Sequence, residues 1–155
     1  MFRNESEIAY RAELMLTQAI QDKTGNFADY LNRVESEASI KDASAVATVK
    51  KYGTSQSGTE QLYFTKLAIK MGKHGFIQHF GINTTRSGGT RTRKRPRNIS
   101  YSYRSHPMVL EGKPFINDAV DTSRVVDFVT SEICRLRSER IFATVRQLLE
   151  NRSST

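Results

Sequence analysis

The charges of this 155-residue chain are distributed very unevenly. Residues 61–110, between Glu60 and Glu111, are fifty consecutive residues with no Asp or Glu and with ten Lys and Arg. The rest of the chain holds fourteen basic and sixteen acidic side chains, so this one block supplies the whole net charge of +8. A local block of positive charge indicates an anionic partner.

Seven of the ten positive charges lie in a basic arm at about 83–104. The arm is rich in Gly, Thr and Ser and poor in apolar side chains. It cannot bury enough apolar surface to offset the cost of ordering its backbone, about 1–2 kcal/mol per residue. The candidate binding residues of the arm are Arg86, Arg91, Arg93, Lys94, Arg95, Arg97 and Arg104, together with Tyr101 and Tyr103.

The chemistry of the arm leaves several partners open. The Arg side chain offers a planar fork of donors suited to phosphate or carboxylate. If six or seven cations met DNA phosphates, log affinity would fall against log salt with a slope of roughly −5 to −6. Otherwise the arm lies on the acidic surface of a neighbouring subunit, or is simply solvated. Tyr101 and Tyr103 either stack on bases or form one strand face packed on a helix.

The chain begins with a predicted helix. Apolar residues from Ile8 to Ile20 recur at helical spacing, Asn4 and Glu7 fit a capping box, and Gly25 ends the pattern. A second helix is predicted over 27–38, capped by Asn26.

Period-2 patterns follow the two helices. The run 45–49, which alternates Ala with Val and Thr before ending in Val, and the alternating segment 62–70 indicate a loosely joined antiparallel pair. Residues 74–81 fit a short helix that Gly81 stops. Ile99, Tyr101 and Tyr103 alternate with Ser, which indicates a strand returning from the arm, so that the arm is either a long loop or the tip of a β-ribbon.

The C-terminal third of the chain again has helical spacing. Pro114 fits a first helical turn, and an apolar stripe continues to about Leu149, with a break expected at Asp121 or Thr122. The stripe comprises Val125, Val129, Ile133, Leu136, Ile141, Val145 and Leu148. The predicted class is α+β: N-terminal helices, a small antiparallel sheet with the basic arm, and a long C-terminal amphipathic helix.

Length predicts a single domain over 1–155. No apolar run is long enough to cross a membrane, and the polar N-terminus predicts no secretory signal. The single Cys134 is expected to be a buried structural thiol in a reducing cytoplasm.

The sequence offers no motif for catalysis. His74, His79 and His106 lack the companion ligands of a zinc site and are expected to pack around the turn after the second strand. The Gly88–Gly89 pair is followed by no phosphate-loop Lys. We therefore expect no enzyme activity, no metal site and no cofactor.

Two motifs carry a resemblance to a known family. They are the short aromatic turn at 74–81 and the Gly-Lys-Pro-Phe step at 112–115 before the last helix. Their order, over roughly 61–149, resembles the small ring-forming virion proteins of tailed bacteriophages called tail-completion or head–tail joining proteins. The arm is longer and more basic than the family pattern, and the second N-terminal helix is additional.

The resemblance implies a structural role in the virion, with assembly in the bacterial cytoplasm. It implies a homo-oligomeric ring at the head–tail junction through which DNA passes, in contact with portal, adaptor or tail proteins. In that setting the arm meets either DNA phosphates or another subunit. The alternative from the residues alone is a nucleic-acid-binding protein, associated with RNA or DNA, that uses the basic arm.

Overall fold

The computed structural model describes residues 2–27, 39–53, 61–94 and 96–153. It confirms the α+β class predicted from the sequence. Of the helix predicted over 27–38, residues 28–38 lie outside the described part of the chain, as does the polar run 54–60. The elements in chain order are α1 (Glu5–Thr24), a 3-10 turn (Ile40–Asp42), β1 (Ser44–Tyr52), β2 (Gln61–Lys70), α2 (Lys73–Phe80), β3 (Ile82–Arg86), β4 (Gly89–Arg93), β5 (Ile99–Tyr103), β6 (His106–Leu110), α3 (Phe115–Ser123) and α4 (Val125–Ser153).

Backbone contacts divide the chain into two compact units. Unit 1 comprises Met1–Gly72 with Phe115–Thr155, and unit 2 comprises Lys73–Pro114. The core of unit 1 and the basic arm of unit 2 therefore belong to different units.

Helix α1 forms the centre of unit 1. Ile8, Ala12, Leu16 and Ile20 recur every four residues, and all four are buried. The Asn4 side chain accepts a hydrogen bond from the Glu7 amide at 2.9 Å. The Glu7 carboxylate accepts from the amide of Arg3 at 2.9 Å, one residue before the position that a full capping box uses. The main core cluster consists of Ala12, Leu16, Ile20, Ala43, Ala45, Ala119 and Val125.

Strands β1 and β2 form the antiparallel pair that the sequence predicts, with one irregularity between Thr48 and Val49. Side chains of α1 accept hydrogen bonds from backbone amides of both strands. On β1, Thr17 Oγ1 accepts from the Ala45 amide, and Glu13 Oε2 accepts from the Ala47 amide, each at 2.9 Å. Unpaired amides at the edge of a sheet can hydrogen-bond to a strand of another chain. The two bonds from α1 therefore protect the edge of β1 from such pairing.

The most buried carboxylate of the described residues is that of Glu5, which has no exposed surface. Glu5 Oε2 accepts from the Phe64 amide of β2 at 2.8 Å. Arg137 of α4 donates to both carboxylate oxygens, from Nε at 3.0 Å and from Nη2 at 3.2 Å. Arg140 Nη1 lies 3.9 Å from Oε1, beyond hydrogen-bonding distance. One carboxylate thus joins α1, β2 and α4.

The pKa of Glu5 reflects two opposed effects. Burial raises the pKa because it disfavours the charged form. The hydrogen bonds from Arg137 and Phe64, with the charges of Arg137 and Arg140, favour the charged form and outweigh burial. The net result is a pKa below the ordinary value of 4.5.

The last two helices differ from the sequence prediction at their junction. Pro114 lies just before α3, which begins at Phe115. The break falls at Arg124 rather than at Asp121 or Thr122, because Arg124 takes a left-handed φ of 50°. Ser123 supports the turn, since its hydroxyl donates to the Val120 carbonyl at 2.9 Å and accepts from the Val125 amide at 3.3 Å.

The predicted apolar stripe of α4 packs over only part of its length. Val125 and Leu136 are buried, whereas Ile141, Val145 and Leu148 are exposed. Cys134 is also exposed, so the expectation of a buried thiol was wrong. Its position on the helix lies beside the stripe rather than within it.

Loss of the Glu5 carboxylate is expected to destabilise the protein. Glu5→Ala leaves the Phe64 amide and the Arg137 guanidinium without their partner, and we expect a loss of about 2–3 kcal/mol of unfolding free energy. Urea unfolding followed by circular dichroism measures it. Glu139→Ala is the matched control, because it removes a half-exposed carboxylate that also binds an Arg. It should cost less than about 1 kcal/mol. Equal losses in the two variants would contradict the prediction.

The same carboxylate predicts a pH dependence. A folded pKa below 4.5 means that the stabilisation by Glu5 is fully present above about pH 4.5 and is lost as the pH falls through the folded value. The stability difference between wild type and Glu5→Gln should therefore shrink as the pH falls from 4.5 towards 2. Urea midpoints of both proteins at pH 7, 5, 4, 3 and 2 measure this. A difference that stays constant over this range would exclude the assigned role.

Candidate functional site

The base of the arm is built around two glycines of unit 2. Helix α2 ends at Phe80, and Gly81 follows with a φ of 76°, which confirms the predicted glycine stop. The Gly81 amide donates to the Ile77 carbonyl at 2.8 Å, and the Lys113 amide donates to the Gln78 carbonyl at 2.8 Å. The end of α2 is thereby held to the chain that leaves β6.

Backbone segments approach so closely at this base that a side chain does not fit. A Cβ on Gly81 would lie 2.5 Å from the Leu110 carbonyl oxygen. A Cβ on Gly112 would lie 2.8 Å from the His79 carbonyl oxygen. Both contacts are with backbone, which cannot move aside as a side chain can. The two glycines therefore fix both ends of the paired segment 82–110, which contains the arm.

The arm itself is a β-ribbon with one continuous register. Strand β3 pairs antiparallel with β6, and β4 pairs antiparallel with β5. Two residues, Ser87 and Gly88, separate β3 from β4, and two more, Arg104 and Ser105, separate β5 from β6. Because the interruptions are equal, the register is the same in both ladders. The β-ribbon form of the arm is thus confirmed, and the described residues 94 and 96–98 lie at its tip.

The outer half of the ribbon, β4 with β5, has two chemically different faces. Residues opposite each other in an antiparallel pair share a face, and alternate residues along a strand change face. Arg91 lies opposite Tyr101, Arg93 opposite Ile99, and Gly89 opposite Tyr103. We call this the Arg/Tyr face: Arg91, Arg93, Ile99, Tyr101 and Tyr103.

The other side carries only hydroxyl side chains. Thr90 lies opposite Ser102, and Thr92 lies opposite Ser100. The Thr92 and Ser100 hydroxyls are 2.8 Å apart and hydrogen-bonded, which shows that they share a face. We call this the hydroxyl face: Thr90, Thr92, Ser100 and Ser102. All charge and all ring surface of the paired outer strands thus lie on one side.

Tyr103 lies at the inner end of the Arg/Tyr face. The Arg86 guanidinium lies 5.8 Å from the centroid of its ring, a cation–π arrangement. Its hydroxyl also reaches the space beside Gly89. Tyr103 is consequently half-buried, whereas Tyr101 is 47% exposed. The exposure of Tyr101 argues against the reading in which both rings pack on a helix.

The structure places the predicted binding residues along this ribbon. Arg86 ends β3, Arg104 lies in the step between β5 and β6, and Lys94 and Arg97 lie in the tip. Arg95 lies outside the described residues. The cations of the arm with described side chains are all exposed: Arg86, Arg91, Arg93, Lys94, Arg97 and Arg104.

The sequence prediction missed the division into two faces. The signal was present as alternation, because Arg and Thr alternate over 90–93 and Tyr and Ser over 100–103. What was missing was the register, which decides whether the Arg positions of one strand lie with the Tyr or with the Ser of the other.

The three histidines are not alike in their surroundings. His79 is buried, and its ring lies edge-on to Phe80 with centroids 4.5 Å apart. His74 and His106 are exposed, so the expected packing around the turn after the second strand holds for His79 and not for the other two. Among the residues that the structure describes, no group of three or more His, Cys, Asp or Glu is placed to hold a metal ion.

Comparison with protein-family models, with curated proteins and with solved structures gives no match for this chain. Within the described ranges, no helix combines the length and the apolar character needed to cross a membrane.

Alanine at the base of the arm is expected to loosen it. Gly81→Ala forces a Cβ into a left-handed backbone and against the Leu110 carbonyl, which should lower the opening free energy of the β3–β6 ladder by about 2–3 kcal/mol. Native-state hydrogen exchange of the β3 and β6 amides measures this loss. Gly89→Ala is the control in the same ribbon, because its Cβ would meet only the movable Tyr103 side chain. Unchanged protection in Gly81→Ala would contradict the role given to the glycine.

Proposed function

We propose that this protein is a non-enzymatic structural subunit of a tailed-phage virion, assembled as a ring at the head–tail junction through which DNA passes. The observed order of elements agrees with the resemblance on which the proposal rests. A short aromatic helix ends at Phe80 before Gly81, a ribbon follows, and a helix begins at Phe115 directly after Pro114.

The observation that carries the proposal is the exposed apolar side of the second half of α4. Five large apolar residues of one helix lie in contact with solvent there. They recur at intervals of three, four and seven residues, so they form one stripe along the helix. Their exposed fractions are 64% for Ile141, 75% for Phe142, 47% for Val145, 62% for Leu148 and 62% for Leu149.

Such a stripe indicates association. Contiguous apolar surface of this kind is rare on monomers and marks interaction sites. A helix end gains most of its stability from the packing of its apolar face. No described residue of this chain packs against this part of α4. Contact with another subunit would supply this packing, and heterologous contacts that close by rotation give rings.

A second candidate function is favoured by a separate observation. The Arg/Tyr face collects positive charge and an exposed ring on one side of an exposed ribbon. This arrangement supports a nucleic-acid-binding protein, whether or not the chain forms a ring. The two candidates use different surfaces in different units, so variants can separate them.

The oligomeric state tests the proposed function. Wild type should elute at a multiple of 17.6 kDa in size exclusion with light scattering. The double variant Val145→Asp/Leu148→Asp places charge in the stripe, and it should shift the mass to that of one chain. Ala143→Asp/Gln147→Asp is the matched control, with the same charges on the opposite side of the same helix, and should keep the assembly.

Electron microscopy then distinguishes a ring from other oligomers. Closed rings in negatively stained wild-type samples, absent in the Val145→Asp/Leu148→Asp variant, are the expected result. A wild-type protein that remains one chain at concentrations of about 100 μM would contradict the proposal.

A further inference from the structure

We propose that the Arg/Tyr face of the ribbon binds the sugar–phosphate backbone of duplex DNA, and that the hydroxyl face points away from it. The inference rests on the proposed function, because DNA that passes through the assembly would be the ligand of this face. The binding itself is a property of the ribbon and can be measured independently of any ring.

The spacing of the cations fits a phosphate chain. Arg91 and Arg93 are two residues apart on one face of a strand, a separation of about 6.6–6.8 Å. Each strand of duplex DNA presents a phosphate about every 3.4 Å along the axis and also winds around it, so successive phosphates lie farther apart than this rise, at a separation that the two guanidinium groups can span. A two-stranded ribbon also has the width that the major groove, about 12 Å across, admits.

The other groups of the face suit the same ligand. The phenol of Tyr101 is a donor exposed beside Arg91, and tyrosine hydroxyls are common phosphate contacts. The stacking of Arg86 on Tyr103 holds a further cation at the inner end of the face. The tip adds Lys94 and Arg97, both exposed. The hydroxyl face can donate hydrogen bonds, but it carries no charge, and Thr92 and Ser100 already bond each other.

The composition of the ribbon favours DNA over a protein partner. Arg and Tyr are also enriched in protein interfaces, so the two partners are distinguished by the sign of the charge over the whole block rather than by residue type. Here Arg91 stands in the middle of the face and Arg93 at its outer end. The nearest acidic residues in the sequence, Glu60 and Glu111, lie beyond both ends of the block. A surface with one sign of charge over this length matches a polyanion, whose own charge is also of one sign.

The test is the salt dependence of binding by the full-length protein to a fluorescent 30-base-pair duplex of mixed sequence, measured by anisotropy. Wild type should show a slope of about −4 to −6 in log affinity against log salt. Arg91→Gln/Arg93→Gln should reduce the magnitude of the slope by about 1.8 and weaken binding at 0.1 M salt by about tenfold or more.

Two double variants serve as controls. Thr90→Ala/Thr92→Ala changes the hydroxyl face of the same strand and should alter affinity by less than about threefold. Lys66→Gln/Lys70→Gln removes the same charge from exposed positions of β2, outside the ribbon, and should also leave the slope nearly unchanged. Circular dichroism should match wild type in all three, because every altered residue is exposed. Thermal melting should change little, since the one hydrogen bond that these variants are known to remove, between Thr92 and Ser100, is also exposed.

Each alternative result has a definite meaning. An equal loss in Lys66→Gln/Lys70→Gln would show binding by net charge and would overturn the inference, as would an equal loss in Thr90→Ala/Thr92→Ala. A wild type that does not bind the duplex at 50 mM salt also overturns it. If Arg91→Gln/Arg93→Gln instead lowers the oligomer mass without changing DNA affinity, the face contacts protein and the inference is wrong.

The same samples separate this inference from the proposed function. Oligomers that do not bind DNA leave the ring proposal standing and reject the role of the face. A single-chain protein that binds DNA through Arg91 and Arg93 rejects the ring proposal and supports the role of the face.

Discussion

The packing of unit 1 depends on one buried carboxylate. Glu5 starts α1, yet its two oxygens are bonded to a strand amide of β2 and to the guanidinium of Arg137 in α4. A carboxylate with no exposed surface is costly unless it is paired and hydrogen-bonded. Because its partners come from sequence positions far apart, satisfying this one charge requires that three elements lie side by side.

Helix α1 organises unit 1 through polar side chains as well as through its apolar face. Thr17 and Glu13 accept from amides of β1, and Glu5 accepts from an amide of β2. The helix thereby closes hydrogen-bonding positions that a two-stranded sheet leaves open. The apolar residues on its buried side supply burial, while the polar bonds set the register between helix and strands.

Unit 2 follows a different principle, because its ribbon has little buried apolar surface. Its shape comes from backbone geometry: the left-handed Gly81, the close approach at Gly112, and equal two-residue steps that preserve the register. That constant register is what brings Arg of one strand opposite Tyr of the other. A shift of one residue would have set Arg opposite Ser and Thr opposite Tyr, which would have placed the charges and the rings on opposite faces.

Local patterns determined much of this protein by themselves. The period of α1, the alternation in β2 and the glycine after the aromatic turn depend on neighbours in the chain, and the structure confirms the helix, the strand and the glycine stop that they predict. The absence of acidic residues over 61–110 is likewise evident from the sequence and does not depend on the fold. Tertiary structure decided the rest: the exposure of Cys134, the place where the stripe of α4 stops being covered, the partners of Glu5 and the two faces of the ribbon. Each of these depends on which distant residues meet, and a pattern of period 2 or 3.6 specifies a face without specifying what lies against it.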